Sequence, residues 1–198
     1  MRTDVDVRLP GPPRRQPVAD PVAGAQRSGR PGLLGRGAVI FVTIGSLFPF
    51  DRLVKVADEL ATQMPDESFF AQIGEGGHRP VNIPYAEMLT RGEFMAKVRE
   101  ADLIVAHAGM GSVITAMESN TPIILLPRIL EWGEHTTDHQ IATAKWLEGR
   151  PGIHVCWEDK DLRATIEAVR AGARMGQTMQ RTAPEPFLNR IRDFIASA

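Results

Sequence analysis

Ala101–Gln140 reads ADLIVAHAGMGSVITAMESNTPIILLPRILEWGEHTTDHQ, and the fold turns on how that stretch is read. Leu103–Ala106 is a short apolar run of the kind that forms a buried strand. It stops at His107-Ala108-Gly109-Met110-Gly111-Ser112, after which the pattern suits a helix. Ile123–Leu126 is a second apolar run. It leads into a polar cluster: Glu131, Glu134, His135, Asp138, His139 and Gln140. Two successive strands thus end in glycine or polar chemistry at one edge of one sheet. In an open parallel sheet, ligands bind in the crevice beyond the carboxyl ends of the strands.

The two glycines have a physical role in that reading. Without a Cβ, Gly109 and Gly111 let the backbone turn sharply and approach a ligand closely. Ser112 is placed to cap the helix that follows. The helix start offers free N–H groups and a partial positive charge, which suit phosphate. A tight strand-to-helix turn with no ligand accounts for a lone GxG as well. The polar cluster after the next strand is what favours a site.

Outward from this stretch, the chain alternates strands and helices. Residues 1–37 are rich in Pro, Gly and Arg and lack apolar periodicity, so they are expected to be a disordered extension. The folded domain is expected over 38–198. Its strands are read at Ala38–Ile44, Ser68–Ile73, Tyr85–Leu89, Leu103–Ala106, Ile123–Leu126 and Ile153–Trp157. The first ends at Gly45-Ser46, and Pro49 favours a helix start. Helices are read near Leu53–Leu60, at Glu93–Glu100, after Ser112, at Asp138–Glu148 and around Leu162–Val169. A last amphipathic segment, Pro186–Ala198, is expected to pack on the domain's own sheet. Right-handed βαβ crossovers give an α/β fold with a Rossmann-like parallel sheet of order 3-2-1-4-5-6. In that order Gly45-Ser46 and His107–Ser112 face one crevice.

Composition narrows the classes. The chain has 198 residues, 43% hydrophobic and 24% charged, with a net charge of -1. That is an ordinary globular composition with no electrostatic push towards nucleic acid. The single cysteine, Cys156, excludes an intrachain disulfide. No apolar run approaches the roughly 20 residues that span a bilayer, and no secretory h-region is visible, so a cytoplasmic chain is expected.

Four readings of the site compete on the residues alone. One is a nucleotide-sugar site with phosphate at Gly109–Ser112. A second, a dinucleotide site, lacks its fingerprint, because the first strand-to-helix turn is TIGSLFPF and has no GxGxxG. A third, a metal site at His135 and His139, has the spacing of HExxH but Thr-Thr-Asp between the histidines, without the glutamate base. The fourth is a structural cluster in which Asp138 caps the next helix.

HAGMGS at His107–Ser112, then Glu118, PIILLPR at Pro122–Arg128, GEH at Gly133–His135 and DHQ at Asp138–Gln140 together resemble the C-terminal domain of glycosyltransferase family 28. The resemblance covers roughly Ala38 to Arg170 and is strongest to the small-subunit type (PssE-like and Alg13-like). It implies a single donor-binding half of a GT-B glycosyltransferase. The implied reaction moves a hexosyl residue from a UDP-sugar to a lipid-linked saccharide, in exopolysaccharide or glycolipid synthesis, without cofactor or metal. The implied partner is a membrane-associated, acceptor-binding subunit (PssD-like or Alg14-like), which would hold the chain at the inner face of the membrane. Carried over by position, Gly109, Gly111 and Ser112 bind phosphate; Gly45, Ser46 and Arg128 stand around them, and His107 either contacts the ligand or braces the turn through a backbone group. Glu134, His135, Asp138, His139 and Gln140 contact sugar or ribose. The general base is expected on the partner; His135 or His139 could serve on this chain, with docking the donor the preferred role. Arg128 is also readable as a solvated surface arginine. Many relatives carry a ribose-binding glutamate where this chain has Thr115, so Glu118 or Glu134 would have to replace it. The alternatives are a non-catalytic nucleotide-binding or scaffold subunit, and a sugar-nucleotide enzyme such as an epimerase.

Overall fold

Strands without a polar face have to be covered on both sides, and that requirement sets the layers of this domain. The structure is a computed structural model that describes residues 38–172 and 185–197. The expected disordered extension, residues 1–37, lies outside the described residues. Strands β1 (Val39–Thr43), β2 (Ser68–Gln72), β3 (Tyr85–Ala86), β4 (Leu103–His107), β5 (Ile123–Leu126) and β6 (Ile153–Val155) form one six-stranded sheet of order β3-β2-β1-β4-β5-β6. Every pairing is parallel. This is the expected order, with the switch point between β1 and β4.

Helices α1 (Asp51–Gln63) and α5 (Leu162–Gly172) cover one face, through Leu53, Val54, Ala57, Ile166 and Val169. Helices α2 (Arg91–Glu100), α3 (Met110–Ser119) and α4 (His139–Leu147) cover the other, through Val98, Val113, Ala116, Ala144 and Leu147. Register aligns the strand ends that matter. Thr43 lies beside Gln72 and Ala106, and His107 beside Leu126. The residues just past β1, β2, β4 and β5 therefore share one edge of the sheet.

Several boundaries shift by one or two residues from the sequence reading, and three differences bear on the site or have a clear local cause. Strand β3 is only Tyr85–Ala86, so Met88 and Leu89 are released from the sheet to line the crevice described below. Helix α2 starts at Arg91 rather than Glu93 because Thr90 and Glu93 form a reciprocal capping box. The Glu93 carboxylate accepts from the Thr90 amide at 2.8 Å, and the Thr90 hydroxyl accepts from the Glu93 amide at 3.3 Å. Helix α1 starts at Asp51 with Phe50 at its cap, so Pro49 stands one residue outside it.

The last segment is a larger correction. It forms helix α6 (Glu185–Ala196), yet none of its residues is buried. Phe187, Phe194 and Ile195 are 53%, 74% and 68% exposed. The expected packing on the domain's own sheet is not there. Because α6 buries nothing, a chain truncated after Arg170 should melt within about 3 °C of the full chain, as surface changes usually do. A fall of more than about 8 °C in thermal melts monitored by circular dichroism would mean that the segment is core.

Candidate functional site

The shared strand edge opens into a cavity of about 450 Å³, within the range of small-molecule sites. Gly45 and Ser46 reach it from β1, Gln72 from β2, and His107 from β4. Gly111, Ser112 and Thr115 reach it from α3. Arg128, His135 and Gln140 follow β5. Met88, Leu89 and Phe94 make an apolar wall at the β2–β3 end. Among the described residues, no Asp or Glu lines it.

The glycines separate into two kinds. Gly45 has φ +80, and a Cβ there would stand 2.6 Å from His107 Cε1. A Cβ on Gly109 would stand 2.1 Å from His107 Nε2. Both glycines are thus explained by the His107 ring, which is clamped between them. Gly111 is not explained by packing, since a Cβ there would meet nothing within 4 Å. It sits in the first turn of α3, where glycine costs about 1 kcal/mol against alanine. Its missing side chain leaves open the space directly above the helix start.

The amides at that start are also uncommitted. The cap residue is Gly109, with no side-chain cap bond. The first amide of α3 with an intrahelical acceptor is Val113, which donates to Gly109 O at 3.3 Å. The amides of Met110, Gly111 and Ser112 are left for a ligand. Ser112 is therefore inside the first turn and not its cap, which corrects the sequence reading.

The charged groups behind the cavity are arranged unlike the expectation. Arg128 is 2% exposed, neither a surface side chain nor a free phosphate ligand. Its guanidinium donates to four backbone carbonyls: Pro49 at 2.7 Å, Glu134 at 3.0 Å, Ile44 at 3.0 Å and Phe48 at 2.5 Å. Burial pushes its pKa down to about 10, so it remains a cation at neutral pH. The Glu134 carboxylate is turned away from the cavity. It accepts from Arg52 Nε at 2.7 Å, Arg52 Nη2 at 2.9 Å and the Ile129 amide at 2.9 Å. Arg52 also donates to Pro127 O at 2.9 Å and lies 4.8 Å from the Trp132 ring centre. Glu134 therefore braces the loop after β5 and, unlike the expected sugar contact, does not line the cavity. Glu118, the other alternative, is exposed and does not line the cavity.

The remaining expected residues fall into place as follows. Gln140 is buried, and its Oε1 accepts from the Ala108 amide at 3.2 Å and the Arg128 amide at 3.1 Å, joining the loops after β4 and β5. Asp138 occupies the cap position of α4 but makes no side-chain cap bond, and it does not line the cavity. His139 lies outside it too, with Nδ1 2.5 Å from the Thr137 hydroxyl. The Thr115 hydroxyl donates back to Gly111 O at 2.9 Å, as helix threonines do. His135 lines the cavity, with its ring 5.7 Å from Phe48 and 4.5 Å from His139. Its Nδ1 accepts from the Thr136 amide at 2.9 Å and the Thr137 amide at 3.2 Å. Neutral His135 therefore carries its proton on Nε2 and is set up as a donor. In that tautomer the Nδ1 lone pair is engaged, which fits the docking role better than that of a general base. Among the described residues, no three of His, Cys, Asp or Glu stand together as metal ligands. Sequence reasoning missed Arg52 and Gln72. Nothing in the sequence links Arg52 to a residue 82 positions away, whereas Gln72 was readable as a polar residue at an apolar strand's end.

A parallel sheet of this order, with a crevice at its switch point, defines a Rossmann-like domain. The profile of the glycosyltransferase family 28 C-terminal domain matches residues 39–197, and the chain belongs to that family. No curated protein sequence matches it. Among solved structures it is similar to the glycotransferase of kitacinnamycin, with 23% identity and a TM-score of 0.54, over 74% of this chain and 38% of that one. It is similar to Os79 from O. sativa in complex with UDP, with 14% identity and a TM-score of 0.52, over 69% of this chain and 32% of that one. It is also similar to ALG13, with 16% identity and a TM-score of 0.51, over 81% of this chain and 96% of that one. At these identities the likeness is one of fold. The chain spans less than half the length of the first two.

His107 makes the site sensitive to acid. Burial first, and the Arg128 cation second, push its pKa down to about 4. The unfolded chain, with a histidine pKa near 6.5, takes the proton first. Stability is therefore complete above about pH 6.5 and falls as pH drops towards 4, by on the order of 3 kcal/mol. In urea unfolding at pH 7 and pH 5, His107→Gln should lose clearly less stability between the two than the native chain. Equal losses would mean that His107 is not the buried neutral group.

Proposed function

We propose that this chain is the donor-binding half of a glycosyltransferase whose acceptor half is a separate, membrane-associated chain. The donor is a UDP-sugar and the acceptor a lipid-linked saccharide. The observation that carries this reading is the open first turn of α3. Gly111 leaves space over three uncommitted amides, beside a buried cation, in a cavity without carboxylates. Such a place favours a diphosphate. The UDP in the O. sativa structure supports a uridine nucleotide. The small-subunit resemblance, and the match to nearly the whole ALG13 chain, support a donor half that works with a partner.

As the glycosidic bond to the leaving diphosphate breaks, negative charge grows on the β-phosphate. The amides of Met110–Ser112 are already aimed at it, and Arg128 adds a fixed positive field, so neither needs to reorganise. The Nε2–H of His135 donates to a phosphate or sugar oxygen from the β5 side. The base that takes the acceptor's proton comes from the partner, since the Nδ1 lone pair of His135 is engaged. Helix α6 presents Phe187, Ile191, Phe194 and Ile195 on one exposed stripe, which suits it to meet that partner. No helix among the described residues is long and apolar enough to cross a membrane, so the membrane link in this reading runs through the partner.

Calorimetry with UDP and UDP-hexoses tests the reading. Gly111→Val should fold normally, because space is open there, and should weaken binding at least about tenfold by filling it. His135→Ala should weaken binding about three- to tenfold, the worth of one hydrogen bond to a charged or polar oxygen. Unchanged affinity in both variants would overturn the donor site and leave a scaffold subunit.

A further inference from the structure

A residue lining the cavity carries a buried acceptor that no described residue satisfies. Gln72 closes β2 and is 3% exposed, yet its Oε1 has no hydrogen-bond partner among the described residues. Its orientation is fixed by chemistry. The amide nitrogen donates to Gly45 O at 2.9 Å, and a carbonyl accepts only from the N–H side, so Oε1 must face the other way. The nitrogen's other neighbour is the thioether of Met88 at 3.9 Å, a weak acceptor on a half-exposed, flexible side chain. A sealed carbonyl without a partner is unfavourable, and such groups in native proteins ask for an explanation.

The position of Gln72 supplies one. The sheet order places β2 two strands from β4, so Gln72 stands roughly 10 Å from the foot of α3. It shares the end of the cavity lined by Met88, Leu89, Arg91 and Phe94. On the donor-site reading, with the diphosphate at α3, that end receives the nucleoside. The Thr115 hydroxyl is bonded within its own helix, and no carboxylate lines the cavity. The nucleoside's own N–H and O–H donors therefore have few acceptors to meet.

We propose that Gln72 reads the nucleoside: its Oε1 accepts a hydrogen bond from an N–H or O–H of the bound base or ribose. This rests on the donor-site reading and adds to it a specificity residue on β2. Contact of this kind predicts that removing the ligand's donor and removing the amide are not additive.

The test is a set of calorimetric titrations of the full chain and of Gln72→Leu with UDP, N3-methyl-UDP, 2′,3′-dideoxy-UDP and inorganic pyrophosphate. The native chain should bind one of the two analogues about tenfold more weakly than UDP, the usual worth of one hydrogen bond. In Gln72→Leu that penalty should disappear, while pyrophosphate affinity stays as in the native chain and reports an intact fold. A penalty confined to the N3-methyl ligand assigns the bond to the base, and one confined to the dideoxy ligand assigns it to the ribose. If the penalty survives in Gln72→Leu, or if neither analogue is penalised in the native chain, the inference fails and the donor site stands. If the native chain does not bind UDP at all, the donor-site reading itself fails.

Discussion

The site depends on one buried guanidinium. Arg128 joins the loop after β1, through the carbonyls of Ile44, Phe48 and Pro49, to the loop after β5, through the carbonyl of Glu134. Those loops leave strands that are not neighbours, because β4 lies between them. A cation in this place stabilises carbonyls that would otherwise be buried without donors. It is only partly offset by the nearby Glu134 carboxylate, whose hydrogen bonds go to Arg52 and not to Arg128. The same group that sets the shape of the crevice therefore leaves it positively charged, and the structural and electrostatic requirements of an anion site are met by one residue.

Around that strut, each strand end contributes one part of a linear site. Beyond β5 stand His135 and Gln140, beyond β4 the open start of α3, beyond β1 the Gly45 turn, and at β2 the Gln72 amide. A nucleotide-sugar is itself linear: sugar, diphosphate, ribose, base. On the donor-site proposal, those parts would meet the strand ends in that sequence across one edge, at spacings of about 4.8 Å per strand. His107 is the hinge of the arrangement. Its ring fills the space left by two glycines, one after β1 and one after β4, and so holds the two loops at fixed separation.

Much of the fold was legible because it is written in local patterns. Apolar runs at Leu103–Ala106 and Ile123–Leu126, with helical spacing between, dictate parallel strands, and handedness then dictates the order. The glycine turn was legible for the same reason. The roles of the polar cluster were not. Glu134 has the chemistry of a sugar ligand, but an arginine on α1 takes its carboxylate, and no local signal records that pairing. Arg128 follows a proline at a strand end, where surface and buried arginines read alike. Only the carbonyls that converge in three dimensions decide between them. His135 was readable as a base or as a docking group, and the two threonine amides that fix its tautomer depend on the loop's backbone path. Helix α6 shows the opposite failure: its amphipathic period is real, yet periodicity does not say which surface it is meant for.

The central claim is that an anionic nucleotide lies across the carboxyl ends of β1 and β4, on the amides of α3. Amide chemical shifts of the isotope-labelled chain titrated with UDP test it most directly. The account predicts that Gly45, Gly111 and Ser112 shift with one common saturation curve, while amides at the opposite edge of the sheet, such as Val39 and Asp102, stay in place. Saturable shifts confined to that opposite edge, or none at Gly111 and Ser112, would contradict it.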